Sequence, residues 1–238
     1  MGTEIISKEE KRATFKVAFI TGSTLFIMGY VNALALINVG GRLGAMVTAQ
    51  TGNVIWMGLN PAFGNWGAFL SNLALFFGFI FGCFFAFLNQ NLIKHKTGQF
   101  FLAWALFALP VALYPFYVPY INSQVAFLMM GLSAGFGCGF FRKMYHLEIN
   151  NAMATGSVRF LGVWFAEVFF RGKKDAMFTL VIFVICVFLF GFGAFIFGMA
   201  HNIDTAGTVN FSVTNVALIV FCIIPCFFAP KNPPAEEK

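Results

Sequence analysis

Residues 43–60 read LGAMVTAQTGNVIWMGLN, and residues 149–170 read INNAMATGSVRFLGVWFAEVFF. Each stretch is apolar enough to enter a membrane, yet each carries polar residues and a Thr-Gly pair at its middle, which a lipid-facing helix does not favour. Thr51-Gly52-Asn53-Val54-Ile55-Trp56-Met57-Gly58 aligns with Thr155-Gly156-Ser157-Val158-Arg159-Phe160-Leu161-Gly162 at an offset of 104, with Thr, Gly, Val and Gly in register. Two flanking matches keep the same order: Met28-Gly29 recurs as Met130-Gly131, and Phe79-Ile80-Phe81-Gly82 recurs as Phe195-Ile196-Phe197-Gly198. Low complexity accounts for the last match alone but not for three in order. We therefore read an internal repeat, with a first membrane half at 17–121 and a second at 122–229.

Composition identifies the solvent of these halves. Of the 238 residues 59% are apolar, 18% aromatic and only 10% charged, whereas soluble domains carry about 25% charged residues. A water-soluble fold is excluded. Apolar runs at 17–39, 67–92, 99–120, 124–141, 176–200 and 210–229 are each long enough to span, since roughly 20 residues cross about 30 Å of hydrocarbon as helix. Residues 1–16 form a basic cytoplasmic arm and 230–238 a short charged tail. The run 17–39 is too long for the apolar region of a signal peptide and reads as a retained first helix. The formal charge of +6 reports cytoplasmic loops; no basic, aromatic-interleaved module points to nucleic acid.

Charge also decides whether the two Thr-Gly segments cross the bilayer. If both cross, Arg42, Lys94, Lys96, Arg142 and Lys143 lie outside, five basic residues against nine inside, with Arg159 left in its segment. If both dip in and return on one side, only Arg42 is outside and thirteen are inside, as the positive-inside rule asks. The expected fold is therefore an all-α integral membrane protein of six transmembrane helices plus two re-entrant half-helices. Three crossings per half invert the second half relative to the first, a 3+3 inverted repeat with both termini on the cytoplasmic side of the inner membrane.

The dip has a geometry. From Thr51 to Asn60 is about 15 Å of helix, half the hydrocarbon thickness, so this half-helix starts near the midplane with Thr51 as its N-cap. Residues 44–50 descend to it as irregular backbone, which lipid cannot solvate and which the spans must enclose. Thr155 starts the mirror-image half-helix. Two positive helix ends then converge, and they attract an anion or an acceptor oxygen. Gln50, Thr51, Gly52, Asn53, Thr155, Gly156 and Ser157 surround that place, with Asn32 and Asn151 completing the ring. The alternative is that these Thr and Asn side chains cap broken helices and bond to neighbouring spans. Arg159 lies one turn beyond Thr155 on the same face and either joins the site or pairs with Glu148 or Glu167.

Other residues narrow the chemistry. None of the nine acids sits deep in a spanning run, so a proton relay has no carrier. Gly131, Gly135 and Gly139 share a helix face suited to close packing, expected against a half-helix or a second subunit. The five cysteines read as buried thiols, and His95, His146 and His201 sit singly in polar connections. No metal site or cofactor follows, and no nucleophile has an adjacent base.

Gly29-Tyr30-Val31-Asn32-Ala33 followed by Thr51-Gly52-Asn53, then Met130-Gly131-Leu132 and the second Thr155-Gly156, resembles the YoaK family of small bacterial inner-membrane proteins over roughly 17–229. The resemblance implies a membrane fold and no assigned activity. Two departures, Asn32 where the family has Asp and Ser133-Ala134 where it has Gln-Asn, remove polarity from the interior and speak against cation or proton coupling. The expected function is a transporter or channel for a small anionic or polar solute, in a lipid bilayer and as a homodimer. The rivals are a non-transporting scaffold or assembly protein and, third, a membrane-embedded enzyme.

Overall fold

A computed structural model describes residues 8–36, 46–117, 120–144, 147–148, 154–172, 175–205 and 213–229. The regular elements of the described residues are helices except for a short ribbon. Helix α1 is Lys8–Leu34, α2 Gln50–Ala62, α3 Trp66–Leu92, α4 Lys96–Ala112, α5 Tyr114–Tyr117 and α6 Ser123–Phe140. After β1 (Lys143–Met144) pairs with β2 (Leu147–Glu148), α7 is Ala154–Phe169, α8 Asp175–Thr205 and α9 Val213–Ile223, which tightens into a 3-10 turn at Ile224–Phe228. The basic arm is continuous with α1 from Lys8 onward.

Four stretches are long and apolar enough to cross a membrane: Phe15–Leu34, Trp66–Leu92, Ser123–Phe140 and Ala176–Asp204. The other two expected spans are shorter. α4 has 17 residues, with Pro110 near its end, and α9 gives way at Ile223 because Pro225 has no N–H to continue the ladder. α8 in turn runs beyond residue 200, so His201 stands in a helix, stacked on Phe197 with ring centroids 5.6 Å apart, and not in a polar connection.

Burial runs opposite to that of a water-soluble helix. On α3 the buried face is Ala68, Ser71, Asn72, Leu75, Gly78, Gly82, Ala86 and Asn89, while Phe77, Phe81, Phe84, Phe85 and Phe87 are exposed. On α2 the buried residues are Asn53 and Asn60, and Val54, Ile55 and Leu59 face outward. Small and polar groups inside with phenylalanine outside is the pattern of helices solvated by lipid, where close packing and internal hydrogen bonds replace hydrophobic contrast.

The small residues bring backbones together. A Cβ on Gly131 would strike the Leu75 carbonyl, one on Gly135 the Phe79 carbonyl, and one on Gly78 the Leu128 carbonyl, so α3 and α6 lie parallel in direct contact. The glycine face of α6 thus packs on the full-length α3, and not on a half-helix or a second subunit as its sequence suggested. α1 and α8 are also parallel: Leu25 clusters with Ile182 and Cys186, and Tyr30 meets Phe197 edge-on at 5.2 Å. Gly29 abuts the Phe190 carbonyl, and Gly193 the Phe26 carbonyl. These contacts share one register. An offset of 102 carries Phe26 to Leu128 and Gly29 to Gly131, and one of 115 carries Leu75 to Phe190 and Gly78 to Gly193. The repeated Phe-Ile-Phe-Gly strings differ by 116, so packing equates Gly82 with Phe197 and not with Gly198.

α1 runs antiparallel to α6: Val17 and Thr21 lie with Phe140 and Phe141, a Cβ on Gly137 would come within 2.7 Å of Met28, and Ala35 lies near Ala126 and Phe127. One end of the bundle therefore gathers Lys16, Lys94, Lys96 and Arg142. Among the described residues, the connections at the opposite end (63–65, 113–117 and 120–122) contain no Lys or Arg.

Candidate functional site

The site expected around the first Thr-Gly pair is built on residues 46–49, the irregular backbone that leads into α2. Val47 and Thr48 are each 1% exposed, so their peptide groups need partners within the protein. Asn53, at 0% exposure, faces Met46 with its whole amide: Met46 N–H donates to Oδ1 at 3.0 Å, and Nδ2 donates to the Met46 carbonyl at 2.7 Å. Asn32, in the last turns of α1, treats Thr48 in the same manner. Its Oδ1 accepts from Thr48 N–H at 3.2 Å, and its Nδ2 donates to Thr48 Oγ1 at 2.7 Å and to the Met28 carbonyl at 2.8 Å. Gln50 Nε2 donates to the Val47 carbonyl at 3.1 Å and its Oε1 accepts from Asn53 at 3.2 Å.

Asn32, Gln50 and Asn53 are thus brought together, and their first task is to satisfy backbone that has left helical geometry. Thr48 completes the cluster and was not singled out by sequence. The available signal was its place two residues before Gln50, in a stretch already expected to be enclosed and non-helical.

Helix α2 begins at Gln50, with Ala49 as its N-cap and no side-chain capping bond. Thr51 is therefore not the cap; the Gln50 and Asn53 N–H groups bond to the Thr48 and Ala49 carbonyls instead, at 3.1 and 3.3 Å. Thr51 is exposed in the first turn, and Gly52 has open space where a side chain would stand. Thr155, Gly156 and Ser157 lie in the opening turn of α7, Arg159 is exposed one turn on, and Asn151 lies outside the described residues. Glu167 meets Arg171 at 2.5 Å. Beside the cluster, Ala35, Val47, Tyr114 and Met130 enclose a cavity of about 10 Å³, the room of a single water.

A second polar group joins α8 to α9. The Asp204 carboxylate accepts from Val213 N–H at 2.6 Å, from Thr214 N–H at 3.1 Å and from the Thr214 hydroxyl, while Tyr30 Oη donates to the Thr214 carbonyl at 2.6 Å. Asn89 makes the corresponding link from α3 to α4, donating to the Gln99 carbonyl at 3.0 Å. The offset of 115 carries Asn89 to Asp204 and Gln99 to Thr214.

Apolar helices that bury amides and expose phenylalanine suit a multi-pass helical membrane protein, and this is the class that fold and site define. Within it, residues 20–224 match the family described as "Protein of unknown function (DUF1275)", and the chain belongs to that family. No curated protein and no solved structure matches it.

Proposed function

We propose that this protein is a small transporter or channel for an anionic or polar solute, a 3+3 inverted repeat in which α1, α3, α4, α6, α8 and α9 cross the inner membrane and α2 and α7 are re-entrant. In this reading the basic end and both termini are cytoplasmic and the protein works as a homodimer. One observation carries it. α2 with α3, and α7 with α8, form helical hairpins, each turning near a left-handed glycine, Gly64 (φ 73°) and Gly172 (φ 65°). Because α3 follows α6, α8 follows α1, and α1 opposes α6, the hairpins enter from opposite ends. With 13 and 16 residues, α2 and α7 reach about 20 and 24 Å, so both begin within the interior of a layer about 30 Å thick. Their positive ends favour an anion or an acceptor oxygen.

The shared contact register supports the repeat. Thr51, Gly52, Thr155, Gly156, Ser157 and Arg159 are the solute-facing residues, with Asn151 at the entry to α7. Asn32, Gln50 and Asn53 brace the first half-helix. The elements similar to the YoaK family, Gly29 to Ala33 and Thr51 to Asn53, fall on α1 and α2.

A non-transporting scaffold is the second reading, favoured by the mutual saturation of the Asn32 cluster and the small closed cavity beside it. Liposome flux separates the two. We expect chloride or phosphate flux that Arg159→Ala lowers severalfold and Thr51→Val lowers less. Selective cation flux indifferent to Arg159→Ala overturns the anion site, and absence of flux for all solutes, with lower melting temperatures in the variants, favours the scaffold.

A further inference from the structure

Between α3, α4 and α6 lies a cavity of about 400 Å³. Leu102 and Leu106 of α4 and Leu132 and Phe136 of α6 wall it, and every lining residue but one is Leu, Ile or Phe. That one is Asn89, 5% exposed, near the end of α3. Its Nδ2 donates to the Gln99 carbonyl at 3.0 Å, whereas its buried Oδ1 accepts from no donor among the described residues. The amide cannot turn to pair both ends, because a flip would set Oδ1 against the Gln99 carbonyl oxygen. Asp204, its counterpart in the shared register, has its carboxylate taken up by Val213 and Thr214. Asn89 is left with an acceptor, and a buried acceptor without a donor carries the full penalty of its lost hydration.

We infer that this cavity binds a neutral lipid alcohol of the diacylglycerol type, its free hydroxyl donating to Asn89 Oδ1 and an acyl chain lying along the apolar walls. The orphan oxygen selects a donor, since an ester or a ketone would set acceptor against acceptor. It also selects a neutral one. A phosphate would enter walls that hold no spare donor, because Asn89 Nδ2 is already engaged by Gln99, and an ammonium would give up its hydration for a single amide oxygen. The depth suits a glycerolipid. Asn89 stands three residues before the end of α3, about 5 Å of helix, and Lys94 and Lys96 follow at the basic end of the bundle. The hydroxyl then sits just inside the interface, with the chain running towards Phe85. Phe85 and Leu102, both exposed, edge the cavity and leave it open to the side of the bundle. Its volume lies in the range of small-ligand sites, about 300–1,000 Å³. None of this depends on transport.

The test titrates full-length protein in nonionic detergent with dioleoylglycerol or with its O-methyl ether, which keeps both chains and lacks the donor. The readouts are the melting temperature and, by native mass spectrometry, bound lipid. Dioleoylglycerol is expected to raise the melting temperature saturably, with a half-saturating concentration about fivefold below that of the ether, the effect of one neutral hydrogen bond. Asn89→Leu should abolish that preference whatever it does to stability. Leu102→Trp, which fills the cavity from its exposed edge, should weaken binding of both lipids. Leu109→Trp, exposed on the same helix but not lining the cavity, should change neither titration. Equal binding of the two lipids by the unaltered protein, a preference that survives Asn89→Leu, or tighter binding of dioleoylphosphatidylglycerol than of dioleoylglycerol overturns the proposal. Should Asn89→Leu not fold, Leu102→Trp decides: it leaves the Asn89 amide in place, and undiminished lipid binding would refute the site.

Discussion

The Asn32 side chain holds Thr48 at two points, accepting from its backbone N–H at 3.2 Å and donating to its hydroxyl at 2.7 Å. The α1 helix and the irregular entry to α2 are joined by this pair, 16 residues apart in sequence. Asn32→Ala leaves the Thr48 N–H and the Met28 carbonyl without that side chain, at residues each 1% exposed. At about 1–3 kcal/mol per buried group left unsatisfied, a loss of about 2–4 kcal/mol is expected. Thr48→Val should cost about 1 kcal/mol, and a double-mutant cycle by chemical unfolding in detergent should give a coupling above 0.5 kcal/mol. Additive losses would show that the pair is not a unit.

The glycine contacts divide into crowded and open positions. Gly131→Ala and Gly29→Ala each drive a methyl into a carbonyl of the neighbouring helix, at Leu75 and Phe190, and overpacking of this kind costs about 1–3 kcal/mol. Gly58→Ala and Gly162→Ala meet nothing within 4 Å. Both should be neutral or stabilising by up to about 1 kcal/mol, since alanine restricts the unfolded chain. Thermal unfolding of the four variants checks the contrast, and equal losses would refute it.

Asp204 holds the start of α9 through two backbone amides and one hydroxyl. Asp204→Ala removes a charged cap and is expected to destabilise by about 1–2 kcal/mol, with Asp204→Asn losing less because an acceptor remains. Hydrogen exchange should rise first at Val213 and Thr214. Unchanged protection there would mean that α9 needs no such cap.

Cysteines placed at positions 94 and 142, on a background lacking the native thiols, should react with an impermeant maleimide only in opened cells. Cysteines at 65 and 120, at the opposite end, should react in whole cells. Reversed labelling would invert the orientation, and labelling of both ends from outside would break the six-span arrangement.

The sequence made the solvent of the fold legible, because 35 phenylalanines among 24 glycines leave helices little choice but to turn aromatic faces to lipid and small faces to each other. It also made the non-helical entry to α2 legible, because polar residues and a Thr-Gly pair at mid-run conflict with a continuous lipid-facing helix. It did not reveal where α2 begins: a threonine cap and a glutamine in the first turn look alike until the carbonyls of Thr48 and Ala49 are located. Nor did letter matching give the packing register, since helices align on the carbonyls their glycines touch. Thr48 stayed hidden for a related reason, that its role depends on Asn32 reaching across from another helix.

The two parallel helix pairs differ in a way that bears on motion. Between α3 and α6, Gly82 sits on the Leu132 carbonyl and Cys83 bonds to that of Gly135 at 3.3 Å. At the matching position of α1 and α8, Phe197 leans on the Tyr30 ring, and an apolar groove of about 540 Å³ runs alongside. Backbone locked on backbone resists sliding, whereas ring faces beside empty volume yield to rotamer changes. Both pairs hold glycines against carbonyls, Gly29 and Gly193 in one and Gly78 and Gly131 in the other. But α3 and α6 continue that contact through Gly82 and Gly135 where α1 and α8 set ring on ring, so bending is expected to come more readily at the Tyr30 and Phe197 end of α1 and α8.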